Sequence, residues 1–274
     1  MRPSDNKGAL AFEARRYLYD RGPTGGAETR WVAVETPVAI EFSGAPHAVM
    51  LATPADLEDF AIGFALTEGV VERANEIRAV EISSSADGVT LNVALVGERL
   101  QAHLARRRAL VGRTSCGLCG VEDFAALPRP SPAPAAAPVA PRAVAAALSA
   151  FSGRQTLNAL THAVHGAAWS DREGRLTDVR EDVGRHNALD KLIGALALKG
   201  VDPTTGFAVV SSRSSLEMVV KIARFGASTL VSLSGPTTMA LERADALGVT
   251  LIAVAREDYA LCFAPRRSTR EDAA

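Results

Sequence analysis

Apolar residues alternate with polar ones over much of the first hundred positions, a pattern that predicts short strands in an α+β unit. The strands are predicted over the runs Trp31–Val34, Val38–Ile40, Ala48–Leu51, Val80–Ile82 and Val89–Leu95. Between them, apolar residues recur with helical spacing after Thr53 and Pro54, which suit the N-cap and the first position of a helix ending at Gly69. A basic helix is predicted over Glu98–Leu110.

Beyond position 142 the pattern changes to helices that alternate with strands. The helices are predicted over 144–151, 187–198, 214–225 and 237–247, and the strands over 163–169, 176–179, 207–211, 229–233 and 249–254. Such alternation is typical of a largely parallel sheet covered by helices. The predicted fold class is therefore α/β, with a sheet and flanking helices in the C-terminal part and a smaller α+β N-terminal part.

Segments poor in core-forming residues predict the domain boundaries. Residues 1–29 are polar and glycine-rich, so that order is expected to begin near Trp31, and the Pro/Ala run over 128–141 is typical of a linker. We predict a flexible N-terminus over 1–29, an N-terminal domain over 30–110, a cysteine loop and linker over 111–141, an α/β domain over 142–263, and a flexible C-terminus over 264–274.

Composition narrows the range of partners and compartments. The 30 basic and 31 acidic side chains give a net charge of −1, so no overall field favours nucleic acid. No apolar run approaches the roughly 18 to 20 residues that cross a bilayer, and the N-terminus lacks the apolar core of an export signal. With only three cysteines, two of them three positions apart, a disulfide framework is disfavoured and a cytoplasmic protein is predicted.

Candidate chemistry centres first on the pair Cys116 and Cys119, which stand among glycines at 112, 117 and 120. Arg113, together with the basic run 106–108, favours the thiolate form of a nearby cysteine, and a thiolate can accept sulfur from a persulfide. Two other uses of this spacing stay open, namely a structural zinc site completed by other residues and a thioredoxin-like dithiol. Cys262, in an apolar run, is predicted to be a packed hydrophobe.

A second constellation is the run from Arg180 to Lys191, which places seven ionisable side chains at the start of a helix. Gly184 permits close approach of the backbone, and Arg185 and His186 stand where a helix N-terminus favours an anion. The alternative is a solvated helix start with Asp190 on the same face as His186. The residues alone do not decide between the two.

Further polar residues follow the predicted strands of the C-terminal part. Arg213 lies in a hydroxyl-rich turn with a Ser214 to Glu217 capping box, and Arg256 follows the last predicted strand. Because ligands bind at the carboxyl ends of strands in open α/β sheets, these loops predict a nucleotide or pyrophosphate pocket. His162 and His165, three apart on a predicted strand, would point to opposite faces.

The motifs together resemble the FdhD family of formate dehydrogenase accessory sulfurtransferases. The resemblance is carried by Glu35–Ile40, Thr53–Gly69, Cys116-Gly-Leu-Cys119-Gly120, Glu181–Lys191 and Glu217–Lys221. The chain departs from the family pattern at Thr161–His165, at Ser212–Arg213 and at Ser234–Thr237, three segments of the predicted pocket.

The resemblance implies a cytidine-deaminase-like fold, with a mixed sheet and flanking helices in the C-terminal part, and a homodimer. It also implies that a cysteine desulfurase loads Cys116 with persulfide sulfur and that Cys119 assists. The sulfur would then pass to the molybdenum bis-guanine-dinucleotide cofactor, which the protein binds as a substrate. This cofactor is destined for the formate dehydrogenase catalytic subunit. The family's cofactor-contacting segment corresponds to Val254, Ala255, Arg256, Glu257, Asp258 and Tyr259. No permanently bound cofactor and no metal are expected.

Two other functions compete with sulfur transfer. A zinc hydrolase of the deaminase type needs His-x-Glu on one helix and Pro-Cys-x-x-Cys on another, whereas His186 is followed by Asn187 and Ala188, and the later helix opens with serines. A cofactor-binding chaperone that holds a dithiol or zinc, without moving sulfur, remains the alternative.

Overall fold

The computed structural model describes residues 8–101, 131–134, 137–256 and 258–265. It begins with a two-stranded antiparallel ribbon, β1 (Ala9–Leu18) and β2 (Gly22–Ala33). The expectation that order begins near Trp31 is therefore wrong. The ribbon is fixed where Ala9 packs with Leu157 and Val164, and the backbone N–H of Val34 donates to the carbonyl of Gly8 at 2.8 Å.

The N-terminal unit is a four-stranded sheet with one helix on its apolar face. Its strands are β3 (Thr36–Phe42), β4 (Ala45–Ala52), β5 (Ile77–Ser84) and β6 (Val89–Leu95), in the order β4-β3-β6-β5, and its helix is α1 (Leu57–Thr67). Val38, Ile40 and Phe42 alternate into the core with no exposed surface, as the period of two requires. The predicted hairpins and helix of this unit are thus observed.

The start of α1 differs from the prediction, because Thr53 has other bonding partners. Asp56, not Thr53, precedes the first helical residue, and it does so in a left-handed conformation with φ 52°. The backbone N–H of Thr53 donates to Asp182 at 2.9 Å, and its hydroxyl accepts from the N–H of Val183 at 3.2 Å. Thr53 therefore joins the two halves of the chain instead of capping the helix.

The C-terminal unit is a six-stranded mixed sheet between helices, in the order β12-β11-β10-β9-β7-β8. β9, β10 and β11 are parallel, whereas β7 runs antiparallel to both β8 and β9. The strands are β7 (His165–Asp171), β8 (Leu176–Asp182), β9 (Gly206–Val210), β10 (Thr229–Ser232), β11 (Thr250–Ala253) and β12 (Leu261–Phe263), and the helices are α2 (Pro141–Arg154), α3 (Thr156–Thr161), α4 (Arg185–Leu198), α5 (Leu216–Phe225) and α6 (Thr238–Leu247).

Apolar residues on both faces of this sheet explain its nearly continuous hydrophobic strands. Ala208 and Val210 of β9 pack in the core beneath α4, α5 and α6, whereas Phe207 and Val209 pack with α2 on the opposite face. The predicted α/β class, with a mixed C-terminal sheet and a smaller α+β N-terminal part, is confirmed.

Three local expectations are wrong. Pro141, assigned to the linker, is the first residue of α2, where its missing N–H costs nothing. Ser215, and not Ser214, precedes α5, because Ser214 instead pairs with Pro236 in an isolated bridge. Cys262 lies on the unpredicted edge strand β12 and is exposed, so it is not a packed hydrophobe.

The two units meet through a close crossing of α1 and α4. An added Cβ at Gly63 would lie 1.7 Å from the carbonyl oxygen of Asp190, and one at Gly194 would lie 1.9 Å from that of Asp59. Glycine at both positions therefore lets the helix backbones touch. This contact places the N-terminal unit directly against the helix that carries Arg185 and His186. Among the described residues, no helix is long and apolar enough to span a membrane.

Candidate functional site

The candidate site lies at the edge of the six-stranded sheet where β9, β10 and β11 end and β7 begins. The loops that follow these strands are bonded to one another. The N–H of Thr237 donates to the carbonyl of Ser214 at 3.1 Å, and that of Val254 donates to the carbonyl of Ser234 at 3.1 Å. The predicted convergence of loops on one edge is therefore observed, since each loop after a parallel strand contacts the next.

A cluster of buried polar atoms that lack hydrogen-bond partners among the described residues lies at the first turn of α4 and in the turn before α5. We use "the recess" for Arg185, His186, Ser214, Ser215 and Glu217. Four of its polar atoms are buried without a hydrogen-bond partner within the described part of the chain: Arg185 Nε, His186 Nε2, Ser214 Oγ and Ser215 Oγ. Orphaned groups are costly in a protein interior, so these atoms call for partners, such as water or a polar ligand, that the described residues do not supply.

His186 joins the two helix starts and is neutral near pH 7. Its Nε2 lies 3.9 Å from Oε2 of Glu217, a distance too long for a hydrogen bond. Burial, with Arg185 and Lys221 adding to it, lowers the pKa of His186 to about 4. The contact with Glu217 is therefore not an ion pair at neutral pH, and the imidazole can offer either a donor or an acceptor.

His165 and Ser211 extend the site along the sheet edge. Ser211 Oγ accepts from the N–H of Gly166 at 3.0 Å and lies 3.4 Å from Nδ1 of His165. Burial, followed by the charge of Arg185, lowers the pKa of His165. His162, by contrast, ends α3 in a left-handed conformation and is exposed, so the two histidines do not share a strand as the sequence predicted.

The predicted cofactor-contacting segment forms the rim of the edge. Arg213 and Arg256 are exposed, and Nη1 of Arg256 donates at 2.9 Å to the carbonyls of Leu233 and Ala255. Val254 has φ 54°, a costly backbone conformation for a β-branched residue, next to the buried Ala255. Asp258 and Tyr259 are exposed, and the carbonyl of Tyr259 accepts from the N–H of Arg256 at 2.8 Å, whereas Glu257 lies outside the described residues.

Much of the charged run from Arg180 to Lys191 proves to be structural. Asp182 and Lys191 form an ion pair of 2.6 Å with no exposed surface, and Nζ of Lys191 also donates to the carbonyl of Thr53 at 2.8 Å. Glu181 accepts from the backbone N–H groups of Leu157 and Asn158, both at 2.8 Å, at the start of α3. Only Arg185 and His186 of this run contribute side chains to the recess, so neither sequence interpretation describes the whole run.

A second buried cluster lies beneath the recess. Asp190 accepts from the hydroxyl of Thr67 at 2.6 Å and from Nζ of Lys221 at 2.9 Å, and Lys221 also contacts Glu68 at 3.2 Å. Burial raises the pKa of Asp190 to about 6, and the carboxylates raise the pKa of Lys221 despite its own burial. The pair is thus ionised at neutral pH, and Asp190 is not on a solvated face.

Sequence reasoning missed Glu217 as part of the site, having assigned it to helix capping. Cys116 and Cys119 lie outside the described residues. Within the described residues, no group of three or more His, Cys, Asp or Glu side chains could hold a metal ion.

The fold is that of a class of accessory proteins with a solved crystal structure. The structure matches, with a TM-score of 0.71 and 25% identity, the crystal structure of a proposed formate dehydrogenase accessory protein from Desulfotalea psychrophila, covering 95% of this chain and 98% of that one. Residues 33–269 match the model of the FdhD/NarQ family. The chain belongs to the FdhD/NarQ family.

Curated relatives agree over most of their length. The chain is 49% identical over 251 residues to the "Sulfur carrier protein FdhD" of Bordetella petrii, with 90% of each chain covered. It is 45% identical over 262 residues to the protein of the same name from Xanthomonas campestris pv. campestris, with 95% of this chain and 92% of the relative covered.

Proposed function

We propose that this protein is a cytoplasmic sulfur carrier that acts in the maturation of formate dehydrogenase. In this role Cys116 accepts sulfur from a cysteine desulfurase, and the sulfur is passed to the molybdenum bis-guanine-dinucleotide cofactor bound at the sheet edge. The observation that carries the proposal is the family match over residues 33–269, which includes both the cysteine loop and the recess. Relatives that share nearly half of its residues bear the name of a sulfur carrier.

The transfer chemistry is that of a sulfurtransferase. The thiolate of Cys116 attacks the outer sulfur of the desulfurase persulfide, a new S–S bond forms, and the desulfurase cysteine leaves as a thiolate. Attack by the thiolate of Cys119 on Cys116 then expels hydrosulfide toward the acceptor and leaves a disulfide, which a cellular dithiol reduces. Arg113 favours the thiolate form needed for the first step.

The sheet edge supplies suitable groups for holding the cofactor as a bound substrate. Two exposed arginines at the rim, Arg213 and Arg256, suit its phosphates, because guanidinium groups bind phosphate oxygens in pairs. The buried orphan atoms of the recess suit a polar group of the ligand. Partners proposed with this role are the cysteine desulfurase, the formate dehydrogenase catalytic subunit and a second copy in a homodimer.

Mass spectrometry tests the carrier step directly. The full-length protein is incubated with a cysteine desulfurase and L-cysteine, and the peptide containing Cys116 should gain one sulfur atom that a reducing dithiol removes. Cys116→Ala should abolish the gain, whereas Cys262→Ala, which alters an exposed cysteine on β12, should leave it intact. If Cys116→Ala still activates formate dehydrogenase fully, or the protein binds stoichiometric zinc and gains no sulfur, it is a chaperone instead.

A further inference from the structure

The ribbon of β1 and β2 presents an apolar face to solvent. Leu10 and Phe12 of β1 and Val32 of β2 have 56%, 55% and 45% of their surface exposed. The three side chains share one face, because Leu10 stands opposite Val32 and Phe12 follows two positions along β1. Ala9 points to the other face, where it packs against Leu157. The side of the ribbon that is turned away from the rest of the fold is therefore the apolar one.

The ribbon gains little support from the rest of the described chain. Among the described residues, β1 and β2 pair only with each other, and an isolated pair of strands is marginally stable in water at best. The core contacts of the ribbon lie at one end, at Ala9, Trp31 and Ala33. Long strands with free edges and exposed apolar side chains favour association with another chain. A partner that covers the apolar face would therefore stabilise the ribbon.

The charges on this face match those of a second copy of the same face. Arg30 stands opposite Phe12, and Glu28 stands opposite Ala14 in the next row of the same face. A two-fold axis that passes between these rows, perpendicular to the strands, lays Arg30 of each copy against Glu28 of the other. The same axis lays Phe12 against the small Ala14. Glu28 bonds to Arg16 at 3.0 Å but keeps 40% of its side chain exposed, so it can accept a second guanidinium group.

The balance of charge over the ribbon disfavours a strongly charged partner of another kind. Residues 9–33 contain four arginines and three acidic residues, which leaves a net charge of +1. Neither an acidic nor a basic surface is therefore selected by the ribbon as a whole, whereas a surface of the same mixed charges is complementary when it is turned by the two-fold axis.

We propose that the face of the β1–β2 ribbon that carries Leu10, Phe12, Val32, Glu28 and Arg30 is the contact between two copies of this chain, related by a two-fold axis across the strands. This pairing rests on the homodimer of the proposed function, and it adds the surface, the symmetry and the ion pairs that hold the two copies together. Each dimer contains the pair of Arg30 with Glu28 twice, once on either side of the axis.

Reversing one charge at a time tests the pairing. In Arg30→Glu two carboxylates face each other at both contacts, and in Glu28→Arg two guanidinium groups do so. Because like charges in an interface oppose association, the dissociation constant of the full-length dimer should rise at least about tenfold in each variant, as measured by sedimentation equilibrium. An equimolar mixture of the two variants again has opposite charges at both contacts. It should form a mixed dimer of near wild-type affinity, which native mass spectrometry distinguishes by its mass.

Two further variants separate the contact from general effects on the ribbon. Arg15→Glu makes the same reversal on the opposite face of β1, so it is the matched control and should keep the wild-type dissociation constant. Phe12→Ser removes apolar surface that the pairing buries, so it should weaken the dimer about tenfold. Circular dichroism reports whether each variant folds, and Phe12→Ser decides the question if a charge variant does not.

Three results would overturn the assignment. Wild-type dissociation constants in Arg30→Glu, Glu28→Arg and Phe12→Ser would show that this face is not the contact between copies, although the homodimer survives. A mixture of the two charge variants that stays as weak as each variant alone would refute the two-fold pairing of Arg30 with Glu28. A wild-type protein that is monomeric at every concentration would refute both this contact and the proposed homodimer, whereas the gain of sulfur on Cys116 still tests the carrier step separately.

Discussion

Asp182 and Lys191 form an ion pair, 2.6 Å between Oδ2 and Nζ, in which neither side chain has exposed surface. The other oxygen of Asp182 accepts from the N–H of Gly184 at 2.7 Å and from Nδ2 of Asn187 at 2.9 Å. The same carboxylate binds the N–H of Thr53, 129 positions away. One buried charge pair therefore connects the N-terminal unit with the turn that presents Arg185 and His186.

Removing one partner of this pair should destabilise the fold strongly. Lys191→Met leaves the buried carboxylate without its counter-charge, so the free energy of unfolding should fall by about 3 to 5 kcal/mol in urea denaturation. Glu28→Gln removes the exposed pair with Arg16, 3.0 Å long, and should cost at most about 1 kcal/mol. A loss in Lys191→Met as small as that in the control would mean that the buried pair contributes little.

The close crossing of α1 and α4 predicts that a larger residue at Gly63 destabilises the fold. Gly63→Ala would place a methyl carbon 1.7 Å from the backbone oxygen of Asp190, so the helices must separate, and overpacking of this kind costs about 1 to 3 kcal/mol or more. Gly153→Ala, at a helical position of α2 with open space around it, should be neutral or stabilise by up to about 1 kcal/mol. Thermal unfolding of both variants checks this, and equal melting temperatures would contradict it.

Neutral His186 predicts how stability depends on pH. Its pKa is about 4 in the folded protein and 6.5 as a free side chain, so the unfolded chain binds a proton more readily between these values. Stability should therefore fall as the pH falls from 6.5 toward 4, with at most about 3 kcal/mol from this residue. Burial is the main cause, Arg185 and Lys221 reinforce it, and Glu217 and Glu68 oppose it.

Urea denaturation at several pH values between 4 and 7 tests the linkage. His186→Asn should flatten the decline in the free energy of unfolding, whereas His162→Asn, which alters an exposed histidine after α3, should reproduce the wild-type curve. Parallel curves for wild type and His186→Asn would show that the histidine is not protonated more readily in the unfolded chain.

Local patterns predicted the elements well and the polar network poorly. The strand through Val38, Ile40 and Phe42 could be predicted because its alternation involves residues that are close in sequence. The polar loops after β9 and β11 could be predicted for the same reason. The role of Asp182 depends on Thr53, which only the folded chain brings near. The same applies to Asp190, which one of the two interpretations placed on a solvated helix face, and whose contact with Lys221, 31 positions away, forms only where α5 packs against α4.

The ribbon β1–β2 escaped prediction for a different reason. Its segment is rich in glycine and charge, and most of its side chains are exposed, so no buried face imposes an apolar alternation. Glu217 was assigned to capping because its position three residues after Ser214 fits the capping-box motif. A folded structure was needed to bring it within 3.9 Å of His186.

The rim arginines provide the last test of the edge as a cofactor site. Arg213→Ala and Arg256→Ala should each weaken guanosine diphosphate binding about tenfold, because each removes a charged donor to phosphate, and should leave sulfur loading on Cys116 unchanged. Arg256→Ala also removes bonds to the carbonyls of Leu233 and Ala255, so it should lower thermal stability slightly, whereas Arg213→Ala should not. Arg142→Ala, on an exposed residue of α2, is the control for loss of surface charge.

Raised salt should weaken the wild-type complex and affect the two rim variants less, since screening acts on the contacts they lack. Wild-type affinity in both rim variants would place the phosphates of the ligand elsewhere.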